Sequence, residues 1–236
     1  MEIIFPTPKI CPLCGKKQDF LNICSECINL KERFKYDHGQ CNRCGTFLRH
    51  GVYCPTCYLW PKEFIKNTAV FPYQKEYEKM VRDFKFNYHG YLSSPISMAI
   101  FNELCLNQAL IRDVAESLII PVPMSSLRKR EKGYNQAEIL SKELARIMDT
   151  EMKTNVLKRS RNTPHQTGLN RRDRKINLKN AFYVEDKNKK DLENRVILLV
   201  DDVITTSTTL NECARTLINH GAQKIFSVTI ASGSNY

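Results

Sequence analysis

The sequence lacks the features of a membrane-spanning or exported protein. No part of its 236 residues approaches the roughly 18 consecutive apolar residues that a membrane-spanning helix needs. Residues 1–6 contain no basic region followed by an apolar one, so no secretory signal is expected. A hydrophobic fraction of 42% with 26% charged residues also excludes a disordered or collagen-like chain. We therefore expect a cytoplasmic globular protein with no membrane insertion.

Acidic residues are few relative to basic ones, with 25 Asp and Glu against 36 Lys and Arg. Most of the net charge of +11 lies in two short segments. The basic residues of the first are Arg128, Lys129, Arg130 and Lys132. Those of the second are Lys158, Arg159, Arg161, Arg171, Arg172, Arg174 and Lys175. Such clustering indicates a site for a polyanion, although a solvated charged face is the simpler alternative.

Cysteine is abundant, and without an export signal the ten thiols are expected to be reduced and available to metals. Eight of them form four Cys-x-x-Cys pairs, which repeat after 30 residues as Cys11, Cys14, Cys24 and Cys27, then Cys41, Cys44, Cys54 and Cys57. Gly15 and Gly45 suit the left-handed position that ends the turn between paired cysteines. Each unit is therefore predicted to be a zinc ribbon with one structural zinc ion. Ligation within each unit is the simpler assignment, and a cross-braced pairing between units stays open.

The remaining cysteines, Cys105 and Cys213, lie in apolar helical patterns and are expected in the core.

From about Asn67 onward, short apolar runs alternate with amphipathic ones. Strands are predicted over 70–73, 117–122, 196–200 and 224–231, and helices over 75–86, 94–108, 136–148 and 208–219. A basic loop is expected after the second strand. Near-continuous apolar strands that alternate with helices predict a parallel sheet covered on both faces. Ligands of such sheets bind at the carboxyl ends of the strands.

Two carboxylates follow the third predicted strand, and a hydroxyl-rich run then opens a helix. The run consists of Thr205, Thr206, Ser207, Thr208 and Thr209. Backbone amides at a helix start, together with hydroxyl groups, form a phosphate cradle. The acid pair, Asp201 and Asp202, can accept hydrogen bonds from the vicinal hydroxyls of a sugar or hold magnesium. A ribose 5-phosphate fits both features, whereas a threonine-capped helix after acidic residues is the structural alternative.

This segment resembles the phosphoribosyl pyrophosphate (PRPP) motif of type I phosphoribosyltransferases. With the two cysteine units and two further stretches, nearly the whole chain resembles the ComF (ComFC) family of bacterial DNA-uptake proteins. The first stretch follows the second predicted strand and contains Pro121, Val122, Pro123, Arg128, Arg130, Gly133, Tyr134, Asn135 and Gln136. The second stretch leads to Phe182 and contains Arg161, Thr163, Gln166, Leu169, Arg172, Arg174 and Asn177. The resemblance implies an α/β fold, a type I phosphoribosyltransferase-like parallel sheet flanked by helices over 67–236, preceded by a small double zinc-ribbon domain over 1–62.

The resemblance also implies roles for individual residues. Asp201 and Asp202 would hold the ribose hydroxyls, and residues 205–209 the 5-phosphate. The cations expected near the pyrophosphate and its magnesium ion are Arg128, Lys129, Arg130, Arg161, Arg172 and Arg174. In a Mg-dependent phosphoribosyl transfer, the catalytic residues would be Asp201, Asp202, Arg161 and Arg172, with 159–175 as a loop that closes over the site. Ser207 stands where the phosphate loop commonly has glycine, so a positive φ there would strain the serine.

The implied function is an accessory role in DNA uptake, with single-stranded DNA and a ComFA-like helicase as partners. The ribbons contain five aromatic residues, which are Tyr36, Phe47, Tyr53, Tyr58 and Trp60. Such rings suit base stacking, and the alternative is that they fill gaps around the metals. Basic residues accompany them, namely Lys31, Arg33, Lys35, Arg43 and Arg49. The alternatives are a metabolic phosphoribosyltransferase of unknown acceptor, in which the ribbons tether a partner, and a PRPP-sensing regulator.

Overall fold

The structure is a computed structural model that describes residues 9–19, 22–59, 62–86, 90–160, 178 and 180–233. Its α-helices are α1 (Ser25–His38), α2 (Pro55–Leu59), α3 (Lys75–Phe86), α4 (Ser93–Cys105), α5 (Gln108–Val114), α6 (Ser126–Lys132), α7 (Gln136–Met148) and α8 (Thr208–Ile218). Its strands are β1 (Lys66–Pro72), β2 (Leu118–Pro121), β3 (Leu157–Arg159), β4 (Phe182–Val184), β5 (Val196–Ile204) and β6 (Lys224–Ser232). None of the described helices has the length and apolar character needed to cross a membrane.

A parallel sheet with the order β1-β6-β5-β2 forms the centre of the described chain. Ile119 of β2 pairs with Leu198 of β5, which pairs in turn with Phe226 of β6. Successive residues of β5 pack on opposite faces: Leu198 joins an apolar cluster with α3, α4 and α7, whereas Leu199 joins one with α8. Both faces are therefore covered, which explains the continuous apolar strands and confirms the predicted parallel sheet.

The prediction of a loop after β2 is wrong, because residues 126–132 form helix α6. The Ser125 hydroxyl accepts a hydrogen bond from the backbone N–H of Arg128 at 3.4 Å, and Gly133 ends the helix at φ 78°. No residue of α6 is buried, so the helix lacks the apolar periodicity by which it would be recognised.

Two other expectations are corrected. The helix predicted over 94–108 ends at Cys105, and Asn107 begins α5 by accepting a hydrogen bond from the backbone N–H of Leu110 at 3.0 Å. Cys105 is exposed and does not lie in the core as expected, whereas Cys213 is buried as expected.

The second cysteine unit lies along the outer edge of β1. The backbone N–H of Asn67 donates to the Arg43 carbonyl at 2.7 Å, and the Gln40 side chain donates to the Ala69 carbonyl at 2.8 Å. Gly45 has φ 68°, and a Cβ atom there would lie 2.8 Å from the Asn67 carbonyl oxygen. The absence of a side chain thus allows the unit to lie directly against the strand. The proposed division between 1–62 and 67–236 stays a prediction.

Candidate functional site

A cavity of about 330 Å³ opens at the carboxyl ends of β2 and β5. This is where ligands of parallel α/β sheets bind, and the volume lies within the roughly 300–1,000 Å³ of small-molecule sites. Its walls include the acid pair, all five hydroxyl residues of the turn, and Arg128 of the first basic segment. The structure therefore brings together residues that the sequence analysis placed in one site.

The acid pair lies within β5 rather than after it, because the strand continues to Ile204. Oδ1 of Asp201 accepts the backbone N–H of Asp202 at 2.8 Å, and Oδ1 of Asp202 accepts that of Val203 at 2.6 Å. Burial, and next the negative charge of Asp202, raise the pKa of Asp201 to about 7. One carboxyl of the pair therefore exchanges its proton near neutral pH.

The turn between β5 and α8 leaves the first amides of the helix without a side-chain cap. Ser207 occupies the N-cap position with φ 57° and ψ 6°, and its hydroxyl donates instead to the Thr206 carbonyl at 2.6 Å. The hydroxyls of Thr206 and Thr208 lie 3.0 Å apart at the mouth of the turn. Uncapped amides at the positive end of a helix, with hydroxyls beside them, favour an anion. Ser207 therefore has the positive φ that was expected to strain a serine at this position.

The basic residues of the first segment face in different directions. Arg128 lines the cavity. Lys129 is directed away and pairs with Glu138 at 2.8 Å, and Arg130 is exposed outside the cavity lining. Arg159, which the sequence analysis included in the closing loop, belongs to β3 and also lines the cavity.

Arg161, Arg172 and Arg174 lie outside the described residues, so their predicted roles rest on the resemblance alone. Trp60 of the predicted stacking surface also lies outside them.

One cation at the centre of the site is not among the residues predicted from the sequence. Lys85, near the end of α3, places its Nζ 3.0 Å from Oδ2 of Asp202. Burial alone would lower the pKa of Lys85, but the carboxylate of Asp202 holds it above the usual range. No signal in the sequence distinguishes Lys85 from the other basic residues, because its partner comes from a distant part of the chain.

The acid pair does not form an open cage of oxygens for a resident magnesium ion. Both Oδ1 atoms already accept backbone N–H groups, and Oδ2 of Asp202 faces the Lys85 ammonium. Magnesium prefers near-octahedral oxygen coordination and keeps several waters. These residues fit a role as hydrogen-bond acceptors for a ligand better than a role as magnesium ligands.

The paired cysteines form two clusters, each of which can hold one metal ion. The four sulfurs of Cys11, Cys14, Cys24 and Cys27 lie within 4.8 Å of one another, as do those of Cys41, Cys44, Cys54 and Cys57. The Sγ separations of 3.6 Å for Cys44 and Cys54 and 3.9 Å for Cys11 and Cys27 match the roughly 3.8 Å edge of a tetrahedron with 2.3 Å Zn–S bonds. The clusters group the cysteines within each unit, as in the simpler of the two assignments.

Comparison with known proteins agrees with this geometry. The phosphoribosyl transferase domain family matches residues 113–236, more than half of the chain. The chain is also 31% identical to competence protein F of Haemophilus influenzae, over 86% of this chain and 87% of the relative. The chain belongs to the competence protein F family. The cavity residues from Arg128 to Thr209 fall within the matched phosphoribosyl transferase domain.

Further relatives have names from the same area of biology. The chain is 28% identical to the DNA utilization protein YhgH of Escherichia coli, over 92% of this chain and 94% of the relative. It is 24% identical to competence protein ComFC of Bacillus subtilis, over 95% of this chain and 78% of the relative. Two predictions made from the resemblance are therefore confirmed. The chain belongs to the competence protein F family, and it has a phosphoribosyltransferase-like fold preceded by a four-cysteine cluster.

Proposed function

We propose that this member of the competence protein F family is an accessory protein of DNA uptake that binds PRPP or a related sugar phosphate. The observation that carries the ligand assignment is the single cavity shared by the acid pair, the uncapped start of α8 and two arginines. The DNA-uptake role is supported by the names of the relatives.

The acid pair supports a sugar as part of the ligand. Carboxylate oxygens accept hydrogen bonds from adjacent hydroxyl groups, and Asp201 and Asp202 follow one another near the carboxyl end of β5, where both line the cavity. In the proposed complex, these carboxylates hold the ribose hydroxyls. The hydroxyl groups of Thr205 to Thr209 and the first amides of α8 hold the 5-phosphate.

Two arginines supply positive charge for the diphosphate group of PRPP. Arg128 approaches from α6 and Arg159 from β3, so the cavity is basic on two sides. Arg161, Arg172 and Arg174 are proposed to join them. Magnesium would enter only as a counter-ion on the ligand's own diphosphate oxygens, since the acid pair offers no open coordination sphere.

Zinc is proposed as the metal of both cysteine clusters. A four-thiolate site has no open position for water, so each ion would stabilise the fold rather than react. The second cluster would then fix the unit that covers the edge of β1.

Single-stranded DNA is the proposed macromolecular ligand of the cysteine-rich region. Tyr36 and Tyr58 expose 90% and 79% of their surface, and Tyr53 is also exposed. Exposed rings of this kind can stack on bases. Phe47, in contrast, is fully buried, and Lys31 is buried in an ion pair, so these two residues are excluded from the surface. A DNA-uptake helicase is a second proposed partner.

Calorimetry with PRPP tests the ligand assignment. The wild-type chain should bind, and the double variant Asp201→Asn, Asp202→Asn should lose binding while it stays folded, which circular dichroism checks. Its melting temperature should change, because Lys85 loses its carboxylate partner. Asp37→Asn, at an exposed position of α1, is the matched control. Equal affinity of the double variant and the wild type would refute the site.

A metabolic phosphoribosyltransferase is the second candidate, favoured by the cations that surround the position of a leaving diphosphate. Release of pyrophosphate from PRPP only after addition of a nucleobase or amine would support it. Binding of oligonucleotides that weakens steeply with salt, without such release, would support the DNA-uptake accessory. A DNA affinity that changes when PRPP binds would indicate a regulator.

A further inference from the structure

Three side chains, from the end of α6, the start of α7 and the turn between them, converge on one backbone oxygen of α3. The carbonyl oxygen of Lys85 accepts hydrogen bonds from Gln136 Nε2 at 2.7 Å, Lys132 Nζ at 3.1 Å and the Tyr134 hydroxyl at 3.2 Å. The last four carbonyls of a helix have no partner within the helix. One donor would satisfy such a group, so three donors hold the backbone of Lys85 more firmly than capping requires.

The side chain of the same residue enters the cavity. Lys85 Nζ lies 3.0 Å from Asp202 Oδ2, and the side chain retains 21% exposure on the cavity wall. An ammonium group has three N–H donors, so contact with one carboxylate oxygen leaves donors for a ligand. A firmly held backbone thus supports a cation at the point where the acid pair meets the ligand space.

We propose that Lys85 is the resident cation of this site, that it neutralises the acid pair and contacts the anionic sugar phosphate, and that Gln136 positions it through its carbonyl. The ligand contact depends on the function proposed above. The Lys85 ammonium, 3.0 Å from Oδ2 of Asp202, offsets part of the negative charge of the acid pair beside the ligand space.

Other charged groups also face the acid pair. Lys132 of α6 lies near Asp202, and Arg159 of β3 lies near Asp201. Lys85 is in direct contact with Asp202, and it lowers the pKa of Asp201 more than Arg159 does. The electrostatic effect of removing Lys85 should therefore be larger than that of removing either neighbour.

The test compares Lys85→Met with Lys85→Arg and with Lys79→Met, an exposed lysine of the same helix. With PRPP as the probe, Lys85→Met should weaken binding about tenfold or more, as expected for a lost charge-assisted contact. Lys85→Arg should restore most of the affinity, and Lys79→Met should bind like the wild type. Gln136→Met should weaken binding in the wild-type background and have no further effect beside Lys85→Met, because its action passes through Lys85.

A ligand-free measurement separates this inference from the proposed function. Removal of the Lys85 ammonium should raise the pKa of Asp201 further, which carboxyl NMR titration detects. An unchanged titration, or PRPP affinity unchanged in Lys85→Met, would overturn the inference. If the wild-type chain binds no PRPP, the proposed function fails, whereas the titration still decides whether Lys85 neutralises this acid pair.

Discussion

Lys31 Nζ lies 2.5 Å from Glu103 Oε2, and both side chains are almost fully buried. The pair joins α1, which begins within the first cysteine unit, to α4, which packs on the parallel sheet. Glu103 also holds Lys35 through Oε1 at 2.6 Å. Burial alone would raise the pKa of Glu103, but Lys31 and Lys35 together hold it below the usual range.

Glu103→Gln should destabilise the chain by about 2–4 kcal/mol, because it leaves the buried Lys31 ammonium without its main partner. Urea unfolding measures the loss. Glu138→Gln, which removes the partner of the exposed Lys129, is the control and should cost less than about 1 kcal/mol. Similar losses in the two variants would mean that the buried pair contributes no more than a surface one.

Gly45→Ala should be much more damaging than Gly15→Ala. Both glycines have positive φ, so each substitution costs roughly 1 kcal/mol of backbone strain. Only at Gly45 would the new Cβ also lie 2.8 Å from the Asn67 carbonyl oxygen, whereas nothing lies within 4 Å at Gly15. Thermal unfolding should show a larger drop in melting temperature for Gly45→Ala, and equal drops would contradict the close packing of the second unit on β1.

Ser207→Gly should preserve or improve stability, because glycine adopts the left-handed conformation without strain. Ser207→Val should lose about 2 kcal/mol or more, since a β-branched side chain is poorly tolerated at φ 57°. Unfolding curves give the stability, and phosphate binding should follow the same order. A valine variant as stable as the glycine variant would show that the turn relaxes.

Cys54→Ser should reduce the zinc content from two ions per chain to one, whereas Cys105→Ser should leave it at two. Cys54 belongs to the second cluster, and Cys105 is an exposed thiol outside both. Atomic absorption on purified protein gives the stoichiometry, and thermal unfolding should show a loss only for Cys54→Ser. One ion or none in the wild type would reject the two-site assignment.

The raised pKa of Asp201 predicts opposite pH dependences for stability and ligand affinity. The folded-state value of about 7 exceeds the ordinary 3.8, so the contribution favours folding at low pH and is lost as pH rises through 7. Affinity for PRPP should instead increase with pH up to about 7, because the ionised carboxylate is the better acceptor. Asp201→Asn should remove this contribution, which the difference in urea stability between variant and wild type at pH 4 and at pH 7 measures.

The parts of the site that are contiguous in sequence could be predicted, whereas the parts assembled by tertiary contacts could not. Asp201, Asp202 and the hydroxyl run occur within nine residues, and their chemistry is visible without a fold. The position of Lys85 depends on where α3 ends relative to β5, which no local pattern reports. The same holds for Arg159, whose place in the cavity follows from the pairing of β3 with β4.

The same distinction explains the elements that were missed. Helix α1 buries Cys27 and Lys31 rather than an apolar stripe, so its periodicity gives no helical signal. The apolar parts of the sheet strands, in contrast, are buried on both faces and are predictable as continuous apolar runs. Their ends are not: β1 begins at Lys66 rather than Val70, and β5 continues to Ile204 through half-buried polar residues.

The contacts of Gln40, Arg43 and Gly45 with β1 have a consequence for cells that are short of zinc. They occupy the outer hydrogen-bonding side of a strand whose residues 67–72 are all buried. If the second cluster holds zinc as proposed and unfolds without it, that side becomes a free template for strands of other molecules. Zinc deprivation should therefore lead to self-association of the chain before any change in the ligand cavity.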